Sequence, residues 1–272
     1  MAEIFRGVWV VAYREILRFF QERSRMLSSL AFPLMFLVVF GAGFNRIVGP
    51  MEGDVDFIQF IYPGILAMTV LMSSMFSGMS IVWDREFGFL KEILVAPISR
   101  TGIVLGKAIG GATNAIIQGV ILLVLAPFLG ISVTPILVIK YLLLVIPLAL
   151  ALSGMGIFVA TRMRSQQGFQ MVMQLLMFPL IFLSGVFFPV DNVPPWLQVI
   201  AKLNPLTYGV DAIRQLFLDG RMIGLASDAS GATSLGVTVG GYKMGILEDT
   251  AVIGILGFIL ISAAVWSFNR QE

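Results

Sequence analysis

The side chains of this chain best suited to chemistry are concentrated between Trp83 and Lys107. The last part of that stretch, Gly102-Ile-Val-Leu-Gly106-Lys107-Ala108, has the residue types of a phosphate loop. Such a loop needs four residues between its glycines, and a Ser or Thr after the lysine to hold magnesium. Here three residues separate the glycines and Ala108 follows Lys107. The segment also opens an apolar run, so Gly106, Gly110, Gly111 and Ala115 read as small residues for close helix contact. ATP binding by this route is not expected. The chain has no His and no Cys, which removes imidazole and thiolate catalysis, disulfides and zinc fingers. No catalytic constellation and no cofactor or metal site is expected. The net charge of +2 gives no footprint for nucleic acid.

The first part of the stretch is different. Asp84, Arg85 and Glu86 mix both signs, and Gly88 is a hinge candidate. Leu90, Ile93 and Leu94 then share one side of an amphipathic turn. Pro97 stops that helix, and Ser99 or Thr101 can cap the next one. A short rigid helix between two spans suits docking into a cleft on a soluble partner; the plainer reading is a charged loop.

The elements that must position these residues are membrane helices. Of 272 residues, 58% are hydrophobic and 12% charged, against about 25% charged in a soluble domain. A spanning helix needs about 20 apolar residues. Six stretches qualify: roughly 27–44, 61–83, 104–129, 136–160, 171–190 and 250–268. No charge lies near the middle of any of them; Lys107 and Lys140 near span ends are expected to snorkel to the interface. The polar residues within the spans, Asn114, Gln118 and Gln174, read as bonds between helices. Residues 4–20 interleave arginines with apolar residues and fit an amphipathic helix in the interface, with Trp9 and Tyr13 at headgroup depth. Twelve of the 18 basic residues fall on the side of that helix and of the 84–107 loop, which places both termini in the cytoplasm. The plasma (inner) membrane is the expected location. Residues 220–248, rich in Gly, Ser, Thr and Ala, read as an outer loop.

The loop after the second span resembles the membrane subunits of type-2 ABC exporters. Their pattern is close to Arg-Glu-x-Gly-x-Leu-Glu-x-Leu-x-x-x-Pro-x-Ser-Arg. This chain matches it at Arg85, Glu86, Gly88, Leu90, Leu94, Pro97, Ser99 and Arg100, and departs in having Lys91 before Glu92. Phe178-Pro-Leu-Ile-Phe-Leu-Ser-Gly-Val-Phe-Phe-Pro-Val190 looks like the family's fifth span. Pro194-Pro-Trp-Leu-Gln and Leu203-Asn-Pro-Leu-Thr-Tyr-Gly-Val-Asp-Ala-Ile-Arg214 look like its outer re-entrant hairpin. The flavour is that of the daunorubicin-resistance and nodulation lipo-oligosaccharide permeases. The resemblance implies one transmembrane domain over 1–272: an interfacial helix 4–20, six spans, a coupling element 84–100 and a re-entrant hairpin 193–219. It implies a second permease subunit, homodimeric or heterodimeric, and two ATP-binding subunits that carry the ATP and magnesium. It also implies a substrate path lined by spans two and five.

The residues agree with parts of this. The fifth span is rich in Met and Phe; Met173, Met177, Phe178, Phe182 and Ser184 are candidates for an apolar substrate wall, although facing lipid or packing the bundle is the plain fate for most of them. In 193–219, two short helices would meet near Asn204 and Pro205, with Tyr208 beyond them. Asp211 and Arg214, three apart, lie on one helical face and either pair or face water. The leading expectation is the permease subunit of an ATP-driven exporter of an amphipathic drug, lipid or glycolipid. A stand-alone cation-coupled carrier or channel is the alternative, and a membrane anchor for a cytoplasmic protein a third.

Overall fold

The computed structural model describes residues 2–48, 57–88, 99–187, 194–218, 238–239 and 242–270. Helix α1 (Ala2–Gln21) bends by 70° into α2 (Arg23–Val48). Then come α3 (Phe57–Met75), a 3-10 turn (Phe76–Gly78) and α4 (Met79–Glu86). They are followed by α5 (Arg100–Leu125), α6 (Pro135–Arg162) and α7 (Gln166–Phe182). Two short helices, α8 (Pro195–Leu203) and α9 (Pro205–Leu218), precede α10 (Ile246–Asn269). A two-residue ladder pairs Thr238–Val239 with Tyr242–Lys243. The helix starts are legible locally. The Ser99, Thr134 and Ser165 hydroxyls accept from the N–H groups of Gly102, Leu137 and Gly168, each filling one orphan donor of a first turn.

Among the described residues four helices are long and apolar enough to cross a bilayer: 61–86 (α3 continued through α4), 100–129, 135–162 and 246–269. Counted as one span, the bent α1–α2 pair brings the number to five. The expected span 171–190 corresponds to α7, whose 17 residues reach only about 26 Å of a hydrocarbon core about 30 Å thick. The expectation for 4–20 corresponds to α1, with Trp9 and Tyr13 exposed.

Helix α3 is the centre of the bundle. Ile61, Tyr62, Ile65, Leu66, Val70, Leu71 and Met75 are all buried, because α3 packs against α2, α5, α6 and α9 at once. Tyr62 carries its hydroxyl inside by donating to Leu122 O at 2.7 Å. The 3-10 turn marks a close crossing of α3–α4 over α6. A Cβ on Gly78 would collide with Gly156 O, and one on Gly156 with Met75 O, so glycine on both sides lets the two backbones touch.

Candidate functional site

At the basic end of the bundle the last turn of α4 meets α1 and α5. Ser80 and Asp84, one helical turn apart, face Lys107 on α5. Lys107 Nζ donates to Asp84 Oδ2 at 2.7 Å and to Ser80 Oγ at 2.8 Å, and lies 3.5 Å from Glu15 Oε1. Arg14 Nη2 reaches Asp84 Oδ2 at 3.5 Å and Glu15 Oε1 at 3.4 Å. Gly106 and Gly110 bring α1 within reach. A Cβ at 106 would lie 2.7 Å from Val11 Cβ, and one at 110 would lie 2.6 Å from Glu15 Cβ. Arg18 lies 4.6 Å over the Trp83 ring and donates to Glu22 at 2.9 Å. Lys107 is 1% exposed and does not snorkel outward as expected. A lysine near a span end either reaches for water or finds an anion inside, and Asp84 decides it here.

The neighbouring residues tie α4 to the rest of the bundle. Arg85 Nη1 donates to the Thr161 and Met163 carbonyls, and Glu86 Oε2 accepts from Gln166 N at 2.9 Å, capping the first turn of α7. The Thr161 and Ser267 hydroxyls bond at 2.7 Å, Arg162 Nε donates to Ser267 at 3.1 Å, and Arg100 Nη1 donates to Asn269 O at 3.3 Å. Gly88, at φ +80, closes α4 by donating its N–H to Arg85 O. Of the expected coupling element, Asp84 is thus buried, Arg85 half-buried and Glu86 exposed, each bonded within the chain. Ser99 caps α5 and Arg100 is exposed. Leu90, Lys91, Glu92, Leu94 and Pro97 lie outside the described residues.

The five candidate path residues do not share one surface. Met173 and Met177 are in the core, and Ser184 is buried with its hydroxyl donating to Ile181 O. Phe178 and Phe182 are exposed, in a stripe with Met171 and Leu175. They join a line of rings: Phe178 to Phe182 at 4.4 Å, Phe182 to Phe187 at 5.1 Å, Phe187 to Phe36 at 5.5 Å, and Phe36 to Phe32 at 6.1 Å.

At the opposite end α8 is mostly exposed and α9 mostly buried. Pro205 opens α9, and Asn204 joins the two helices by donating to Leu180 O at 2.8 Å and accepting from Leu206 N. Tyr208 donates to Lys202 O at 2.8 Å. Arg214, 3% exposed, donates to Gly185 O at 2.8 Å and Val186 O at 3.4 Å; Gly185 stands at φ +83, a conformation that favours glycine. Asp211, on the same face of α9, is also buried, so both residues face inward and not toward water. The Gln215 amide donates toward Asp211, Asp249 and Met244 O. The Gln215–Asp249 bridge had no cue in the sequence, since the two lie 34 residues apart.

A cavity of about 340 Å³ lies between α1, α2, α3–α4, α5 and α7. Glu15 and Ser80, both bonded to Lys107, are part of its wall, with Asn114 and Gln118 from α5. Asn114 and Gln118, expected to bond between helices ahead of meeting a substrate, line this cavity. Among the described residues no group of three His, Cys, Asp or Glu side chains is placed to hold a metal.

Comparison with known proteins adds the following. The sequence profile described as ABC-2 type transporter matches residues 6–218. The chain is 32% identical over 216 residues to ycf38 of Cyanophora paradoxa, named as a transport permease, covering 77% of this chain and 73% of that one. It is 31% identical over 198 residues to nodulation protein J of Rhizobium leguminosarum bv. viciae, covering 72% and 75%. It is 31% identical over 172 residues to YbhR of Escherichia coli (strain K12), named as a multidrug ABC transporter permease, covering 61% and 45%.

Proposed function

The chain belongs to the ABC-2 type transporter family, whose members are membrane transport components, and from that premise we propose that it is the permease subunit of an ATP-driven exporter. It works with a second permease subunit and two copies of an ATP-binding subunit, which hold the ATP and magnesium. The cargo is an amphipathic drug, lipid or glycolipid, moved outward. The basic end faces the cytoplasm at the plasma (inner) membrane, α2 and α7 complete a set of six spans, and α8–α9 dips into the outer leaflet as a re-entrant hairpin. Residues 84–100 receive the push from the ATPase.

The observation that carries this reading is the bonding of residues 84–86. Asp84 holds α1 and α5, Arg85 holds the end of α6, and Glu86 holds the start of α7. A force applied just beyond Glu86 therefore reaches four helices directly, as a rigid-body transition between inward- and outward-facing states requires. The test is affinity purification from native membranes in mild detergent, with mass spectrometry and an ATPase assay on the eluate. A stoichiometric ATP-binding cassette chain with ATPase activity is expected. Transport in liposomes by the chain alone would overturn the reading in favour of a cation-coupled carrier.

A further inference from the structure

We propose that the cavity at the basic end is a loading site for the uncharged, hydroxyl-bearing head group of an amphipathic ligand, whose alkyl chain lies along the aromatic line from Phe32 to Phe178. The inference rests on the exporter reading for its biological meaning but not for its geometry. The cavity belongs to one chain. Ser73 and Ser77 project into it from α3 and the 3-10 turn, Asn114 and Gln118 from α5, and Gln170 from α7. In two of these side chains an oxygen, Ser77 Oγ and Asn114 Oδ1, is shielded and has no hydrogen-bond partner among the described residues. Shielded polar atoms are almost always bonded, so a small turn of either side chain toward the cavity would gain a bond to an occupant's hydroxyl.

The wall also says which kind of occupant. Glu15 and Arg18 border the cavity, yet Glu15 is held by Lys107 and Arg14, and Arg18 by Glu22 and the Trp83 ring. A charged head group would have to break one of these pairs. Hydroxyls and amides remain, and they recognise a sugar-like or other polyhydroxyl head. The volume of about 340 Å³ is near the lower bound of small-molecule sites, which run from about 300 Å³ upward, so it takes one ring and not a chain of them. Phe32 links this site to an apolar track. It borders the cavity and begins the line Phe32–Phe36–Phe187–Phe182–Phe178, whose far end is exposed on α7. A ligand with its head among the amides would thus have its chain against aromatic rings at the lipid boundary.

The experiment uses the full chain in phosphatidylcholine nanodiscs, without ATP or any partner. The probe is an octyl glucoside carrying a diazirine beside its head group. Photolabelling is expected to saturate and to map to peptides containing Ser73–Ser77 and Asn114–Gln118. Unlabelled octyl glucoside should compete; octyl phosphate and octyltrimethylammonium should not. Asn114→Leu should weaken saturable labelling about tenfold, the size of one lost hydrogen bond in a shielded site, with thermal unfolding unchanged. Ser77→Ala provides a second variant should Asn114→Leu fail to fold, with a loss of several-fold. Phe182→Ala should weaken dodecyl glucoside more than octyl glucoside. Labelling that does not saturate, equal competition by the charged heads, or indifference to both polar variants would overturn the proposal and leave the cavity to water. Because no ATPase takes part, such a failure is separable from failure of the exporter reading, which the co-purification decides.

Discussion

The two ends of the bundle bury charge in opposite ways. At the basic end, Lys107, Asp84, Glu15 and Arg14 answer one another with side chains from three helices, the contacts between helices joining residues 23 to 92 apart in sequence. At the other end, Arg214 donates to two successive backbone carbonyls of the turn after α7, and Gln215 spans between α9 and α10. The difference teaches what each joint can do. Side-chain pairs exchange partners or take up water when one helix shifts, so the seat of α1 is a joint that charge controls. Carbonyls of a turn have no charge to lose, so on the α7 side of the α7–α9 joint there is none to exchange, and the charge of that joint sits on α9 alone.

The comparison can be broken or sharpened by substitution, and the largest effect is expected at Lys107. Lys107→Met leaves Asp84 buried with only the more distant Arg14, at a cost of about 3–5 kcal/mol. Adding Asp84→Leu should restore most of that, since no charge is then left behind; thermal unfolding of the two variants in detergent checks it. Failure of the double variant to recover would mean that the joint is not governed by charge.

Arg214→Lys is next. It keeps the charge but loses the planar guanidinium whose Nη2 lies against both Gly185 O and Val186 O, and should cost about 1.5–3 kcal/mol in the same assay. A fully stable lysine variant would put this joint in the same class as the first.

Glu86→Lys removes the carboxylate that caps α7 and should cost only about 1 kcal/mol in stability, while transport by the assembled complex is lost. Retained transport would detach this residue from the push on 84–100. Smallest of all, Phe178→Ala should change stability by less than about 0.5 kcal/mol, because the ring is 65% exposed.

Much of this was legible in the sequence because it depends on neighbours along the chain. Residues 4–20 became Ala2–Gln21, Ser99 caps α5, and two short helices meet at Asn204–Pro205. The small residues Gly106, Gly110 and Gly111 do allow close approach, the first two to α1 and the third to Ser77. What escaped depends on which helix lies alongside. Lys107 reads as a snorkelling residue until Asp84 is placed beside it. Met173 and Phe178 read alike until α7 turns one inward and the other out. The length of α7 escaped as well, because hydropathy continues past Phe182 while its helical hydrogen bonding does not.

The crossing of Gly78 and Gly156 divides the central rod into unequal arms. From Gly78 to Glu86 is eight residues, about 12 Å; from Gly78 back to Ile61 is 17 residues, about 26 Å. With the two backbones in contact there, the glycine pair is a fulcrum. A tilt that moves the short arm by an ångström at Glu86 swings the long arm by about two ångströms at Ile61, in the opposite sense, where Tyr62 and α9 lie.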